Sequence, residues 1–280
     1  MNMQLMMARA RMNHSPATIT YLDSISPLPL AVLSLRKLIS TATKSIRVRR
    51  SSDNTEQDIG FTGDVLDTSA LSSFVGANSA YVTKIYDQKG SFDAVQATNA
   101  KQPMIVNAGT YSGLILFNGS SQYMTIPSLT MSTPRLFAFV KMIPPTVGSY
   151  RIMFELSSDG TATAGGWAFY QDTGGYNKIV GTGTGKSSVF AQGSVTSLTE
   201  YTAWADRTLT GLAETSLRVN GSAISPSSGG TSNPTGNLTT NTFYIGCRAG
   251  TSYFSDIQLE TLVMYVADAT SKIGAIEAII

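Results

Sequence analysis

Cysteine and histidine are almost absent from this chain of 280 residues. The single cysteine, Cys247, excludes an intrachain disulfide, a thiolate metal cluster and a redox pair. It sits in the strand-like FYIGCRAG and reads as a small buried apolar residue. The single histidine, His14, excludes a His-based metal site within one chain. A Ser-His-Asp triad would have to borrow it from outside the apparent fold. Charge is also scarce: Asp, Glu, Lys and Arg make up 14% of the residues, well under the usual quarter. The net charge of +2, from 20 basic and 18 acidic residues, sets up no field to gather nucleic acid. No apolar run is long enough to span a membrane. No GxxxxGK[ST] phosphate loop occurs; GTGTGK at 181–186 has the glycines at the wrong spacing and reads as a hairpin tip. No cofactor and no metal are expected.

What the chain does have is 25 glycines and abundant Ser, Thr and Asn, the make-up of an all-β protein with many turns. Its length suits one large sandwich, enough to bury a core without disulfides. From Tyr81 onward, short alternating strands follow one another with turn chemistry between them and no helices, which argues for a sandwich rather than βαβ units. Asn220-Gly221, between SLRV and SAIS, is the best two-residue hairpin signal. Residues 221–241 read as a long exposed loop. Three short helices are expected at the periphery: 28–41, with an apolar face of Leu30, Leu33 and Leu38; 68–75, capped by Asp67 or Thr68; and 268–280, with a stripe of Ile273, Ile276, Ile279 and Ile280.

Residues 45–61, SIRVRRSSDNTEQDIGF, concentrate the scarce charge. Ile46 and Val48 alternate with Arg47 and Arg49 as in a half-buried strand, and a turn follows at 51–54. Arg47, Arg49, Arg50, Asp53, Glu56 and Asp58 are expected to form a scaffold network, with Arg50 the arginine shielded from water. Asp53, Glu56 and Asp58 are also the densest set of calcium-type oxygen ligands, but the arginines compete for them.

The string IRVRRSSDN-EQDIGF, with YDQ-G and DAVQAT…QPMIV after it, resembles the N-terminal half of the sandwich of fungal alpha-L-arabinofuranosidase B catalytic domains. It is more similar still to phage-encoded structural proteins that share that sandwich. LFNGSSQYMTIP at 116–127 and SLRVNG at 216–221 resemble segments of laminin-G-like or concanavalin-A-like jelly rolls. The resemblance implies an all-β jelly-roll sandwich over 28–280, a few short peripheral helices and an N-terminal arm at 1–27. In the enzymes of that family the nucleophile is a glutamate a few residues after a Gly-x-Trp. Here that place, after Trp167, holds Gln171, Asp172 or Thr173, with Thr173 the best fit. The acid/base aspartate finds only Asp256 and Glu260, and the paired cysteines are missing. On that basis no catalytic residue is carried across, and the chain is expected not to be an enzyme.

Two readings compete with glycoside hydrolysis. One is carbohydrate binding, for which the aromatics are Tyr150, Trp167, Tyr170, Tyr176 and Trp204, with Trp167, Tyr170, Asp172 and Tyr176 the candidate glycan contacts. The other, and the expected function, is a non-enzymatic virion structural protein of a bacteriophage, a capsid-surface decoration or tail component made in the host cytoplasm. Five of the 11 methionines fall in the first twelve residues, and such an arm suits docking on other virion proteins. A homo-oligomer, with a cell-surface glycan as an added ligand and no nucleic-acid or membrane partner, completes that expectation.

Overall fold

The computed structural model describes residues 20–146, 148–157, 165–181, 187–190, 195–229 and 236–280. Residues 1–19 of the arm expected at 1–27, residues 182–186 of GTGTGK and residues 230–235 therefore lie outside the described residues; the rest of the stretch 221–241 is mostly strand rather than the expected loop, as Ser222–Ile224, Pro226–Gly229 and the start of Leu238–Ile245. The fold is an all-β sandwich with a few short helices at its edge. One layer runs Ala31–Ser34, Gln258–Tyr265, Arg135–Ile143, Thr199–Asp206, Thr215–Val219, Ser222–Ile224, each antiparallel to the next. The other runs Met124–Thr133, Leu238–Ile245, Arg151–Leu156, Trp167–Gln171, Asn177–Gly181, Ser187–Phe190. The strands between Ile46 and Leu116 join the layers at one side: Ala94–Val95 pairs with Met124–Thr133, and Thr110–Leu116 pairs with Gln258–Tyr265.

The strand Arg135–Ile143 shows how the sequence produces this. Leu136, Ala138, Val140 and Met142 point into the core between the layers, and Phe137 and Phe139 point the other way into a second apolar cluster. A strand covered on both faces reads as a continuous apolar run. Burying each phenylalanine is worth about 1.5–3 kcal/mol. The second cluster closes the outer face of the first layer with Leu22, Leu38, Ile273, Ile276 and Ile280. The outer face of the second layer is left to carry the site described below.

Asn220 and Gly221 both adopt positive φ (46° and 75°), the two-residue turn expected between Thr215–Val219 and Ser222–Ile224. The helix at Thr68–Val75 is present, with the Asp67 carboxylate accepting from Ala70 N. The closing segment is shorter than expected, a 3-10 turn at Thr270–Lys272 and a helix at Ile273–Glu277. Residues 28–41 are not a helix. Ala31–Ser34 is a strand against Gln258–Tyr265, and its Val32 and Leu33 are buried in different clusters. Of the leucines that suggested one helical face, Leu33 lies in the strand, Leu30 just before it and Leu38 beyond it in the other cluster, and Pro27 and Pro29 bias the lead-in toward extended backbone. Cys247 is fully buried, and that burial pushes its thiol up to about 12.

Candidate functional site

The charged stretch folds as the hairpin Ile46–Arg50 and Glu56–Ile59, with Arg47 opposite Asp58 and Arg49 opposite Glu56. The Asp58 carboxylate accepts from Arg47 Nε at 2.6 Å, Lys44 Nζ at 2.7 Å and the Tyr86 hydroxyl at 2.7 Å. Arg50 holds Asp53 with two hydrogen bonds, at 3.1 and 2.6 Å. Glu56 is exposed and receives only a 3.4 Å contact from Thr83 Oγ1. The most shielded arginine is Arg49, not Arg50. Arg49 binds amide oxygens, of Gln102 and of Asn54, both at 2.7 Å. Nearness to the turn leaves Arg50 paired at the surface, while the face opposite Ile46 and Val48 is itself covered at Arg49.

The hydrogen bond from Arg47, helped by Lys44 and Tyr86, holds the Asp58 carboxyl well below the usual carboxylate range. A depressed folded pKa gives stability that is complete above the unfolded value and is lost as the pH falls through the folded one. Melting temperature should therefore drop as pH falls below about 4. Asp58→Asn should flatten that dependence; an unchanged acid limb in a pH series of thermal melts would show that Asp58 plays no part in it.

Of the four candidate glycan contacts, the structure separates Trp167 from the rest. Trp167 is fully buried between the layers and stacks on Phe243 at 6.4 Å, so it cannot touch a ligand. Its strand neighbours Ala168 and Tyr170 point to the opposite, outer face, where they pack with Ile152 and Val180. Asp172 follows at the end of the strand and shapes the turn into Asn177–Gly181. Its Oδ1 accepts from Gly174 N and Tyr176 N, and Lys178 Nζ lies 2.9 Å from Oδ2. Tyr176 is exposed on that turn.

Around Tyr170 the outer face opens into a cleft of about 300 Å³, lined by Tyr150, Ile152, Tyr170, Arg248 and Tyr253. The Tyr150 ring lies 6.3 Å from Tyr170 and meets Tyr253 edge-on at 6.0 Å. Tyr150 and Tyr253 are nearly half exposed. The Arg248 guanidinium lies 4.9 Å over the Tyr253 ring, and its Nε donates to Glu155 at 2.9 Å. Glu155 projects from Arg151–Leu156 and is 1% exposed, and its other oxygen accepts from Ser157 Oγ. Ala249 takes up a left-handed φ of 48° in the turn that Thr251 N closes on Arg248 O, and Tyr253 one of 50° just beyond it, both uncommon for residues with a Cβ.

The cleft's electrostatics are set locally. Burial pushes the Tyr170 phenol above its ordinary value, so it stays protonated as a donor. Burial also opposes the charge on Asp172, but Lys178 and the backbone N–H groups of Tyr176 and Gly174 outweigh it and hold the carboxyl below its ordinary value. Arg248 in the cleft wall is paired with Glu155, and Lys178, opposite Tyr170 on the next strand, with Asp172, so these ion pairs cancel in charge. Sequence reasoning missed Tyr253, Arg248 and Glu155. The one signal for Glu155 was a lone carboxylate in the apolar strand RIMFEL.

No family model matches this chain, and no curated protein does. Solved structures do. An arabinofuranosidase complexed with arabinofuranosyl-alpha-1,2-xylobiose is 15% identical, with a TM-score of 0.66, over 90% of this chain and 62% of that one. A GH54 a-l-arabinofuranosidase soaked with a cyclic sulfate inhibitor is 14% identical, with a TM-score of 0.64 and the same coverage. The chain thus spans less than two thirds of the length of these neighbours, and at such identity the likeness is one of fold. It bears out the sandwich related to arabinofuranosidases and gives no support to a phage origin. It also corrects the expectation that the chain is not an enzyme: the structures sharing its fold over nine-tenths of its length are glycoside hydrolases. That expectation rested on a missing glutamate after Trp167. The carboxylates nearest to the cleft-lining residues in the structure come from two strands, Glu155 behind Arg248 and Asp172 two residues beyond Tyr170, so one position along one strand was too narrow a test.

Proposed function

We propose that this chain is a carbohydrate-active sandwich of the glycoside-hydrolase type that seats a neutral sugar unit in the tyrosine cleft. The observation that carries the reading is the convergence of Tyr150, Tyr170 and Tyr253 on one open pocket with Arg248 in its wall. Phenol rings offer flat apolar faces to the C–H side of a sugar, while their hydroxyls and the guanidinium offer partners for sugar hydroxyls. Ion pairs that cancel favour a neutral glycan over an acidic one. The neighbouring arabinofuranosidases suggest a pentofuranoside as the first substrate to try. Asp172, two residues beyond the cleft's Tyr170 and paired with Lys178, suits a nucleophile or general base rather than the general acid, and the protonated Tyr170 donates to the sugar. A place on a virion, with a host-surface glycan as ligand, rests on the resemblance of residues 45–61 to phage-encoded proteins.

The test pairs binding with turnover, using 4-nitrophenyl α-L-arabinofuranoside and a neutral glycan array. Tyr253→Ala should weaken binding about tenfold, which corresponds to about 1.4 kcal/mol. Asp172→Asn should keep binding, because the asparagine oxygen still accepts from Gly174 and Tyr176, while turnover is lost. Absence of both binding and turnover in the intact protein would overturn the reading.

A further inference from the structure

The tyrosine cleft is one of two aromatic hollows that share a ridge. Arg248 and Tyr253 stand on one flank of a short hairpin closed by the Arg248–Ser252 bridge. Ala249, Gly250 and Thr251 of the same hairpin face a wider hollow of about 520 Å³, whose other walls include Tyr123, Thr125, Thr242, Tyr244 and Lys101. Tyr123 and Tyr244 lie 6.5 Å apart at 50°, and Lys101 Nζ sits 5.2 Å over the Tyr123 ring.

Two features tie this hollow to the first. Tyr244 is the register partner of Glu155, the carboxylate that holds Arg248, so both hollows open on the same outer face of adjacent strands. The hairpin is also fitted against the second hollow. Gly250 has φ +72°, and a Cβ there would meet the Tyr123 hydroxyl at 3.0 Å and its ring at 3.2 Å. Only glycine lets the ridge approach Tyr123 so closely.

We propose that the hollow at Tyr123 and Tyr244 is a second sugar subsite, so that the ligand is a neutral oligosaccharide lying across the Arg248–Ser252 hairpin. The proposal rests on the reading of the tyrosine cleft as a sugar site. The chemistry repeats: aromatic faces for stacking, with Thr125, Thr242 and Lys101 as polar partners around them. A chain bridging both hollows engages the second intramolecularly, so affinity should climb with chain length.

The experiment compares two probes, 4-nitrophenyl α-L-arabinofuranoside and the trisaccharide arabinofuranosyl-α-1,2-xylobiose, by calorimetry on the intact chain. The trisaccharide should bind at least about tenfold more tightly, a ratio equal to about 1.4 kcal/mol. Tyr244→Ala should erase that gain and leave the short glycoside unaffected. Thr242→Arg, which fills the hollow from its exposed rim, should do the same and guards against a folding defect in the first variant. Tyr253→Ala should weaken both probes. If Tyr253→Ala weakens both while Tyr244→Ala and Thr242→Arg change neither, the second subsite is overturned and the cleft stands. If neither probe binds the intact chain, the cleft fails and the subsite fails with it.

Discussion

Replacing Arg248 with alanine should destabilise the protein by about 3–5 kcal/mol, because it strands a carboxylate that has almost no access to water. Glu155 is 1% exposed, and Arg248 and Ser157 are the partners of its two oxygens. Taking the guanidinium away leaves one oxygen unpaired beside Tyr244 and Ala168, the register neighbours of Glu155. Arg248→Lys should recover only part of the loss, since an ammonium lacks the planar group that lies over Tyr253. Removing both charges, as Glu155→Leu with Arg248→Met, should restore much of the stability, because an apolar pair carries no desolvation cost. Denaturant midpoints for the singles and the double measure the coupling. Simple additivity of the two losses would mean that the pair does not act as a unit. The same variants also separate fold from function: Glu155→Leu with Arg248→Met should fold, yet lose the donor in the cleft wall and bind sugar weakly.

How much of this could be read in the sequence differs by element. The strands from Tyr81 onward were legible because period-two alternation and turn residues agree, as at Asn220-Gly221. The Thr68–Val75 helix was legible from its Asp67 cap. Residues 28–41 were not, because a run of leucines with both faces covered has the same appearance as one helical face. The cleft was half legible. Tyr170 and Asp172 lie on a hairpin that brings Lys178 opposite Tyr170, a local register the sequence can suggest. The ion pair of Glu155 with Arg248 joins residues 93 apart, and no local rule connects them. Trp167 misled for the opposite reason: an aromatic beside glycines can face either side of a strand, and alternation from Phe169 settles it inward only once the core is known.

Arg49→Ala should cost about 1–3 kcal/mol and clearly more than Arg50→Ala, because the two arginines meet water so differently. Arg50 pairs with Asp53 at the surface, with side chains 28% and 42% exposed. A pair so open to water contributes little, and its hydrogen bond to Phe74 O adds to that only modestly. Arg49 is 7% exposed, lies 5.0 Å over the Tyr81 ring, and donates to Gln102, which is itself 1% exposed. Truncating Arg49 leaves the Gln102 oxygen buried without its donor, a cost of about 1–3 kcal/mol. The contact with Tyr81 does not separate the two arginines, because Arg50 lies 4.8 Å over the Phe74 ring in the same way. Gln102 cannot turn away to solvent, since its amide nitrogen is committed to the Gln96 carbonyl at 3.0 Å. Arg49→Ala and Gln102→Ala should therefore be strongly non-additive in a double-mutant cycle, the second change costing little once the first is made. Equal losses for Arg49→Ala and Arg50→Ala, with additive behaviour in the cycle, would place the anchor of this hairpin at the surface turn instead.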